Sequence, residues 1–185
     1  MVSFSGESVM DNRGSKFNVL FLDNGNAARS IMAEAILNRE GCGKFQAYSA
    51  GINAYSELDI RAVELLQRMH YDLGDARPKS WNEFVGEAAP RFDFVFTLCE
   101  GAALLPHSVW QGNPIFAHWG VPNPAFVEGN EAEIRLAYAE VFRMLSNRIG
   151  IFVNLPLRSA DIAALQRQLD LIGTNRPTAE GAVAA

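Results

Sequence analysis

The stretch Asp23-Asn24-Gly25-Asn26-Ala27-Ala28-Arg29-Ser30 holds the residues best suited to chemistry in this chain. It follows an apolar run directly, and a helix starts inside it. A loop of this kind points successive backbone N–H groups inward and forms an anion nest. The helix start adds partial positive charge. Gly25, Ala27 and Ala28 are small enough to let an oxyanion reach the backbone. Arg29 can clamp two oxygens with its planar fork. The same residues also suit a tight strand-to-helix turn with a surface arginine, and pattern alone leaves both readings open.

Such a loop needs a sheet to hold it. Phe17 to Leu22 reads as a buried strand, and Phe45 to Ala50, Asp93 to Cys99 and Pro114 to Ala117 as three more. Helical character runs from Ala27 to Arg39, with Glu34 and Arg39 facing out, and Gly41 and Gly43 end it. Leu58 to Met69 carries an amphipathic stripe through Ile60, Val63, Leu66 and Met69. Glu131 to Phe152 and Ala160 to Ile172 complete the helices, with Pro156 as the break. Strands alternating with helices predict an α/β fold: a three-layer, doubly wound sandwich around a central four-stranded parallel sheet. In open sheets of this kind ligands bind at the carboxyl ends of the strands, which is where Asp23 to Ser30 falls.

Composition narrows the function classes. The 185 residues suit one domain, expected over 16–173, with loose polar ends over 1–15 and 174–185. A formal net charge of -5 and the lack of any basic run argue against a nucleic-acid partner. No apolar stretch approaches the ~20 residues of a membrane span, and the first 15 residues hold no apolar signal core. Cys42 and Cys99 stand far apart with no CxxC spacing, so a reduced, cytoplasmic setting is expected.

The residues from Val19 to Ser30 resemble the active-site loop of low-molecular-weight tyrosine phosphatases and thioredoxin-coupled arsenate reductases, in which a Cys is followed by five residues, Arg, and Ser or Thr. Ser49-Ala50-Gly51 is similar to the family's Ser-Ala-Gly after the second strand. Phe96-Thr97-Leu98-Cys99 resembles the segment that carries the reductases' second cysteine. Ala117 to Pro124 resembles the loop that holds the family's acid, normally Asp followed by Pro. The likeness spans roughly residues 16 to 173 and leans toward the reductase branch.

This resemblance also exposes departures. It puts Asp23 at the nucleophilic cysteine, Asn123 at the general-acid aspartate, and His107 near the reductases' third cysteine. The family reaction needs a thiolate to attack phosphorus or arsenic, and then a proton donor. Asn123 can donate a hydrogen bond but has no proton to give at neutral pH. Arsenate reduction also needs thiols to carry two electrons, and Cys99 alone cannot close an internal disulfide. A carboxylate at Asp23 opposes an oxyanion by about 4 kcal/mol per unit charge at 4 Å and an effective dielectric near 20. The expectation is a family member that is inactive in the family reaction. Asn24, Gly25, Asn26, Ala27, Ala28, Arg29 and Ser30 form its remodelled pocket, and Asp23 serves as a built-in anion. No cofactor or metal is expected. The occupant is either a small ligand or a protein partner. The enzyme alternative makes Asp23 itself a nucleophile that forms an acyl phosphate. A third reading is an interaction subunit with a vestigial pocket.

Amide hydrogen bonds and Arg29 are expected to hold the Asp23 pKa below its unfolded value of about 3.9. Cys99 reads as a small buried apolar residue and His70 as structural. His118 is a candidate for touching the pocket. Asp23, Cys99, His107 and His118 carry no recognised metal-ligand spacing. Trp81, Trp110 and Trp119 read as core residues, with an aromatic wall as the alternative.

Overall fold

Val, Leu and Phe crowd the segment Phe17–Asp23, which forms the first strand, β1. In the computed structural model, which describes residues 16–174, it lies between two parallel neighbours. These are β2 (Phe45–Gly51) and β3 (Phe94–Thr97), and β4 (Ile115–His118) pairs with β3. All pairs are parallel and the order is β2-β1-β3-β4, so the α/β fold with a four-stranded parallel sheet is as expected. The chain leaves β1 toward one side for β2 and then crosses to the other side for β3. The loop after β1 therefore sits at the switch point, where a crevice opens at the carboxyl ends of the strands. Register puts Asp23 beside Gly51, and Leu22, Thr97 and His118 in one row across the sheet. The expected ends 1–15 and, past Thr174, 175–185 lie outside the described residues. Thr174 itself still belongs to the last helix.

Both faces of the sheet are covered, as a parallel sheet requires. Phe17, Val19 and Phe21 point to one face, where they share a core cluster with Phe94, Phe96, Trp119 and the buried sides of four helices. Those helices are α1 (Arg29–Glu40), α2 (Ile60–Arg68), α4 (Glu131–Phe152) and α5 (Ile162–Thr174). Leu20, Leu22 and Val95 point the other way, against Phe84, Phe92, Ala102 and Trp110. That second layer is thinner. It comprises the single-turn α3 (Glu100–Ala103) and 3-10 turns at Trp81–Phe84 and His107–Val109. Trp119 stacks on Phe96 with ring centroids 3.9 Å apart, while Trp81 and Trp110 meet edge-on across the opposite face. The tryptophans are core residues on two separate faces and form no common wall.

Local signals explain where the helices begin. Asn130 and Glu133 form a reciprocal capping box that starts α4. Asp59 caps α2 by accepting from the amides of Arg61 and Ala62. The first helix starts at Arg29 rather than at the expected Ala27, because Ala27 and Ala28 remain part of the loop. Glu34, expected to face out, turns inward instead. It accepts a hydrogen bond from the buried Ser49 hydroxyl and pairs with Lys79 at 3.4 Å. His70, in a left-handed conformation at φ 58, ends the turn after α2.

One buried charge ties the second half together. Arg148 on α4 is 4% exposed. Its guanidinium donates to the carbonyls of Trp119 at 2.7 Å, Gly120 at 3.1 Å and Gly173 at 3.0 Å. Burial pushes its pKa down, yet a guanidinium stays charged at any physiological pH. The carbonyl at Gly173 belongs to the last turn of α5, whose partial negative charge favours the cation. Arg148 thus clamps the loop after β4 to the end of α5. Arg148→Ala should leave three carbonyls, that of Trp119 fully buried, without their donor and lower stability by about 3 kcal/mol, read as a shift of the urea midpoint. Arg148→Lys should recover only part of that loss, because an ammonium cannot span both loops.

Candidate active-site loop

Four backbone hydrogen bonds decide the shape of the loop between β1 and α1. The amides of Ile52, Asn53, Tyr55 and Asp59 donate to the carbonyls of Asp23 (3.0 Å), Asn24 (2.8 Å), Gly25 (2.8 Å) and Ala27 (3.0 Å). With its carbonyls held outward by the strap after β2, the loop turns its amides inward. Gly51 makes this contact close. A Cβ there would lie 2.8 Å from the Asn24 carbonyl oxygen and 2.9 Å from the Asn26 nitrogen. Asn26 takes the left-handed turn at φ 48 and is anchored on both sides. Its Nδ2 donates to Ser30 Oγ at 2.8 Å, and its Oδ1 accepts from the Lys79 amide at 2.7 Å.

The inward amides find a carboxylate. Asp23 Oδ1 accepts from the Asn26 amide at 2.6 Å and Oδ2 from the Ser30 amide at 3.1 Å. The Arg29 Nε lies 4.0 Å from Oδ2. These partners are the expected ones, but the expected pKa direction is not found. Asp23 is 2% exposed, and burial raises its pKa above the ordinary value against the pull of Arg29 and the two amides. Desolvation of a charge inside the fold outweighs two hydrogen bonds and a guanidinium held at arm's length. Arg29 is itself buried, and its Nη1 donates to the Val121 carbonyl at 3.3 Å rather than to the carboxylate.

A small pocket of about 100 Å³ opens above this pair. Its floor is Asp23, Gly25, Ala27, Ala28 and Arg29, and its walls are Tyr55, Glu57, Asp59, Asn123 and Ala125. Asn123 is therefore at the pocket, where its side-chain oxygen also caps a 3-10 turn by accepting from the Ala125 amide at 3.2 Å. The side chains of Asn24, Asn26 and Ser30 stand behind the loop: Asn24 pairs with Asn53, and Asn26 with Ser30. Sequence reasoning missed Tyr55, Glu57 and Asp59. Gly25 leaves room for one of them: a Cβ there would come within 2.7 Å of the Tyr55 ring, a contact that no local pattern announces.

The remaining candidates lie apart from the pocket lining. His118 Nδ1 is 2.8 Å from Thr97 Oγ1, and its Nε2 is 3.4 Å from Glu100. His107 stacks on Phe116 with centroids 3.6 Å apart. Cys99 packs, half-buried, beside the second-face core, and Cys42 is exposed; both are free thiols. Among the described residues no group of three or more His, Cys, Asp or Glu side chains is gathered for a metal ion. Among them, too, no helix is long and apolar enough to cross a membrane.

Known proteins share this architecture. An arsenate reductase of Shouchella clausii is 32% identical over 143 residues, covering 75% of this chain and 96% of that protein. An arsenate reductase of Oceanobacillus iheyensis is 29% identical over 142 residues, with coverages of 75% and 96%. Among solved structures, an arsenate reductase from Archaeoglobus fulgidus superposes with a TM-score of 0.60 at 27% identity, over 74% of this chain and 99% of that one. A low molecular weight protein tyrosine phosphatase from T. tengcongensis gives 0.59 at 23% identity, over 76% of this chain and 100% of that one, and speaks for the fold alone. Residues 18–169 match the family described as low molecular weight phosphotyrosine protein phosphatase. With that span matched and its sheet, switch-point loop and strap in place, the chain belongs to the low molecular weight phosphotyrosine protein phosphatase family.

Proposed function

We propose that this chain is a catalytically silent member of its family, in which the remodelled loop serves binding rather than turnover. The observation that carries the reading is the placement of Asp23. The likeness to the family loop aligns it with the nucleophilic cysteine, and its two oxygens accept the amides that would otherwise greet an oxyanion. Asn123, aligned with the acid, lines the pocket without an ionisable proton. The relatives named arsenate reductases suggest a redox role, but the two thiols here are far apart in sequence, and Cys99 packs as an apolar residue. A cytoplasmic setting with reduced cysteines belongs to the same reading, and the occupant is either a small ligand or a protein. The enzyme alternative, Asp23 as nucleophile, faces the same geometry. Its carboxyl is buried and held by amides on both oxygens, and burial raises its pKa.

An aryl phosphate assay and a thioredoxin-coupled arsenate assay are expected to read background, and robust turnover in either would end the proposal. Mass spectrometry after incubation with an activated phosphate donor should find no adduct on the peptide that contains Asp23. Asp23→Ala frees the Asn26 and Ser30 amides and removes an opposing charge. Phosphate affinity should then rise by about tenfold or more, measured by calorimetry. Equal affinities in wild type and variant would mean that Asp23 does not occupy the nest.

The raised Asp23 pKa has a pH signature of its own. Between the unfolded and folded pKa values the native state holds the extra proton, so stability falls as pH rises through that window and stays lowered above it. Asp23→Asn cannot ionise. Its stability relative to wild type should therefore be highest above the folded Asp23 value and should decline as pH drops below it, followed by urea denaturation at stepped pH. The opposite trend would show that Arg29 and the amides outweigh burial.

A further inference from the structure

We infer that the mouth of the pocket is a docking surface for a protein partner that presents a basic side chain, a lysine or an arginine, beside apolar neighbours. This rests on the binding reading above and supplies the chemistry of the occupant. Size is the first argument. A cavity of about 100 Å³ equals the share of roughly three waters, which admits the end of one side chain. Charge is the second. The lining carries Asp23, Glu57 and Asp59 against the single cation Arg29. Arg29 is drawn to the back of the pocket, with its side chain 8% exposed and its Nη1 on the Val121 carbonyl. Asp23 is buried as well, so the carboxylates an approaching group meets are those of Glu57 and Asp59 on the walls. Asp59 is a rigid one, with Oδ1 on the Arg61 and Ala62 amides and Oδ2 accepting from the Tyr138 hydroxyl at 2.6 Å. Glu57 beside it is exposed.

The rim is the third argument. Tyr55 is 50% exposed, Ile60 62% and Phe126 78%. Exposed apolar residues scattered singly are ordinary. Here Tyr55 itself lines the pocket, Ile60 follows the wall residue Asp59, and Phe126 follows the wall residue Ala125. An exposed aromatic ring beside an exposed carboxylate matches a long basic side chain. The methylene stem lies along Tyr55, and the cation sits at the Glu57 and Asp59 carboxylates. The same opening repels a phosphorylated tyrosine, whose dianion would pass two carboxylates before reaching the loop.

The test is an amide-resolved NMR titration of the full chain with three probes: an acetylated Leu-Arg-Leu amide peptide, its Leu-Glu-Leu counterpart and benzyl phosphate. The arginine peptide should shift the amides of Gly25, Ala28 and Tyr55, and the glutamate peptide should not. Glu57→Lys, at an exposed position that leaves the fold intact, should weaken the arginine peptide about tenfold or more, and Tyr55→Ala should weaken it further. If the arginine peptide leaves these amides unmoved, or binds Glu57→Lys as well as wild type, the basic-partner inference is overturned. The binding-only reading would then still stand, because only turnover in the phosphatase or arsenate assay ends it. If benzyl phosphate shifts the loop amides of the wild type, the mouth does not exclude a dianion and the inference falls, whereas the binding reading falls only on turnover.

Discussion

The hydrogen bonding of the strap after β2 to the outward carbonyls of the β1–α1 loop is the constraint on which the site depends. A peptide plane has two ends, and fixing the carbonyl end fixes where the N–H points. Four such bonds, from residues Ile52 to Asp59 onto Asp23 to Ala27, make the loop's inward donors a consequence of the strap. The strap can approach because residue 51 has no Cβ, and the turn can close because Asn26 tolerates a left-handed backbone and bonds on both sides of its amide. The shape of the loop is thus set mostly by main chain. The side chains at the loop occupy a frame that the main chain creates, so they can change without changing the fold.

Two buried charges are handled by different physics. Arg148 lies among carbonyl oxygens at a helix end, where every partner favours the cation. Its burial costs little that the site does not return, and it braces the loop that brings Val121 to Arg29. Asp23 lies among donors as well, yet its nearest cation contact is 4.0 Å long and that cation also serves a carbonyl. At that distance Coulomb attraction does not offset the loss of water, and the pKa of the acid is raised. The contrast shows why a list of partners does not give a pKa direction: geometry and solvent access decide it.

Much of the frame was legible in the residues. Four apolar runs placed four strands, and the bounds Glu131 to Phe152 agree with α4 because Asn130 and Glu133 announce its start. The loop from Asp23 to Ser30 was legible because small residues, an arginine and a helix start fall together. Three things were not. Glu34 sits in a polar-looking helix position, and nothing local says that the buried Ser49 hydroxyl will bond it. Tyr55, Glu57 and Asp59 reach the pocket through the strap, whose path depends on the packing of β2 against β1. The direction of the Asp23 pKa depends on how completely the fold closes over it, a tertiary quantity that residue types alone do not carry.

Substitution at a nucleophile position changes more than reactivity when the surrounding loop is preorganised. A loop that points amides inward at a helix start favours negative charge whether or not any ligand is present. If the chain itself supplies that charge, the loop is satisfied without a ligand, and the recognition it can offer shifts outward to the walls. In this protein the walls are Tyr55, Glu57 and Asp59, side chains of the same strap whose amides shape the floor. A single segment therefore determines both what the floor holds and what the mouth can attract. On the proposed reading of Asp23 as an internal anion, this strap is the part of the site left to select a partner by charge and apolar contact.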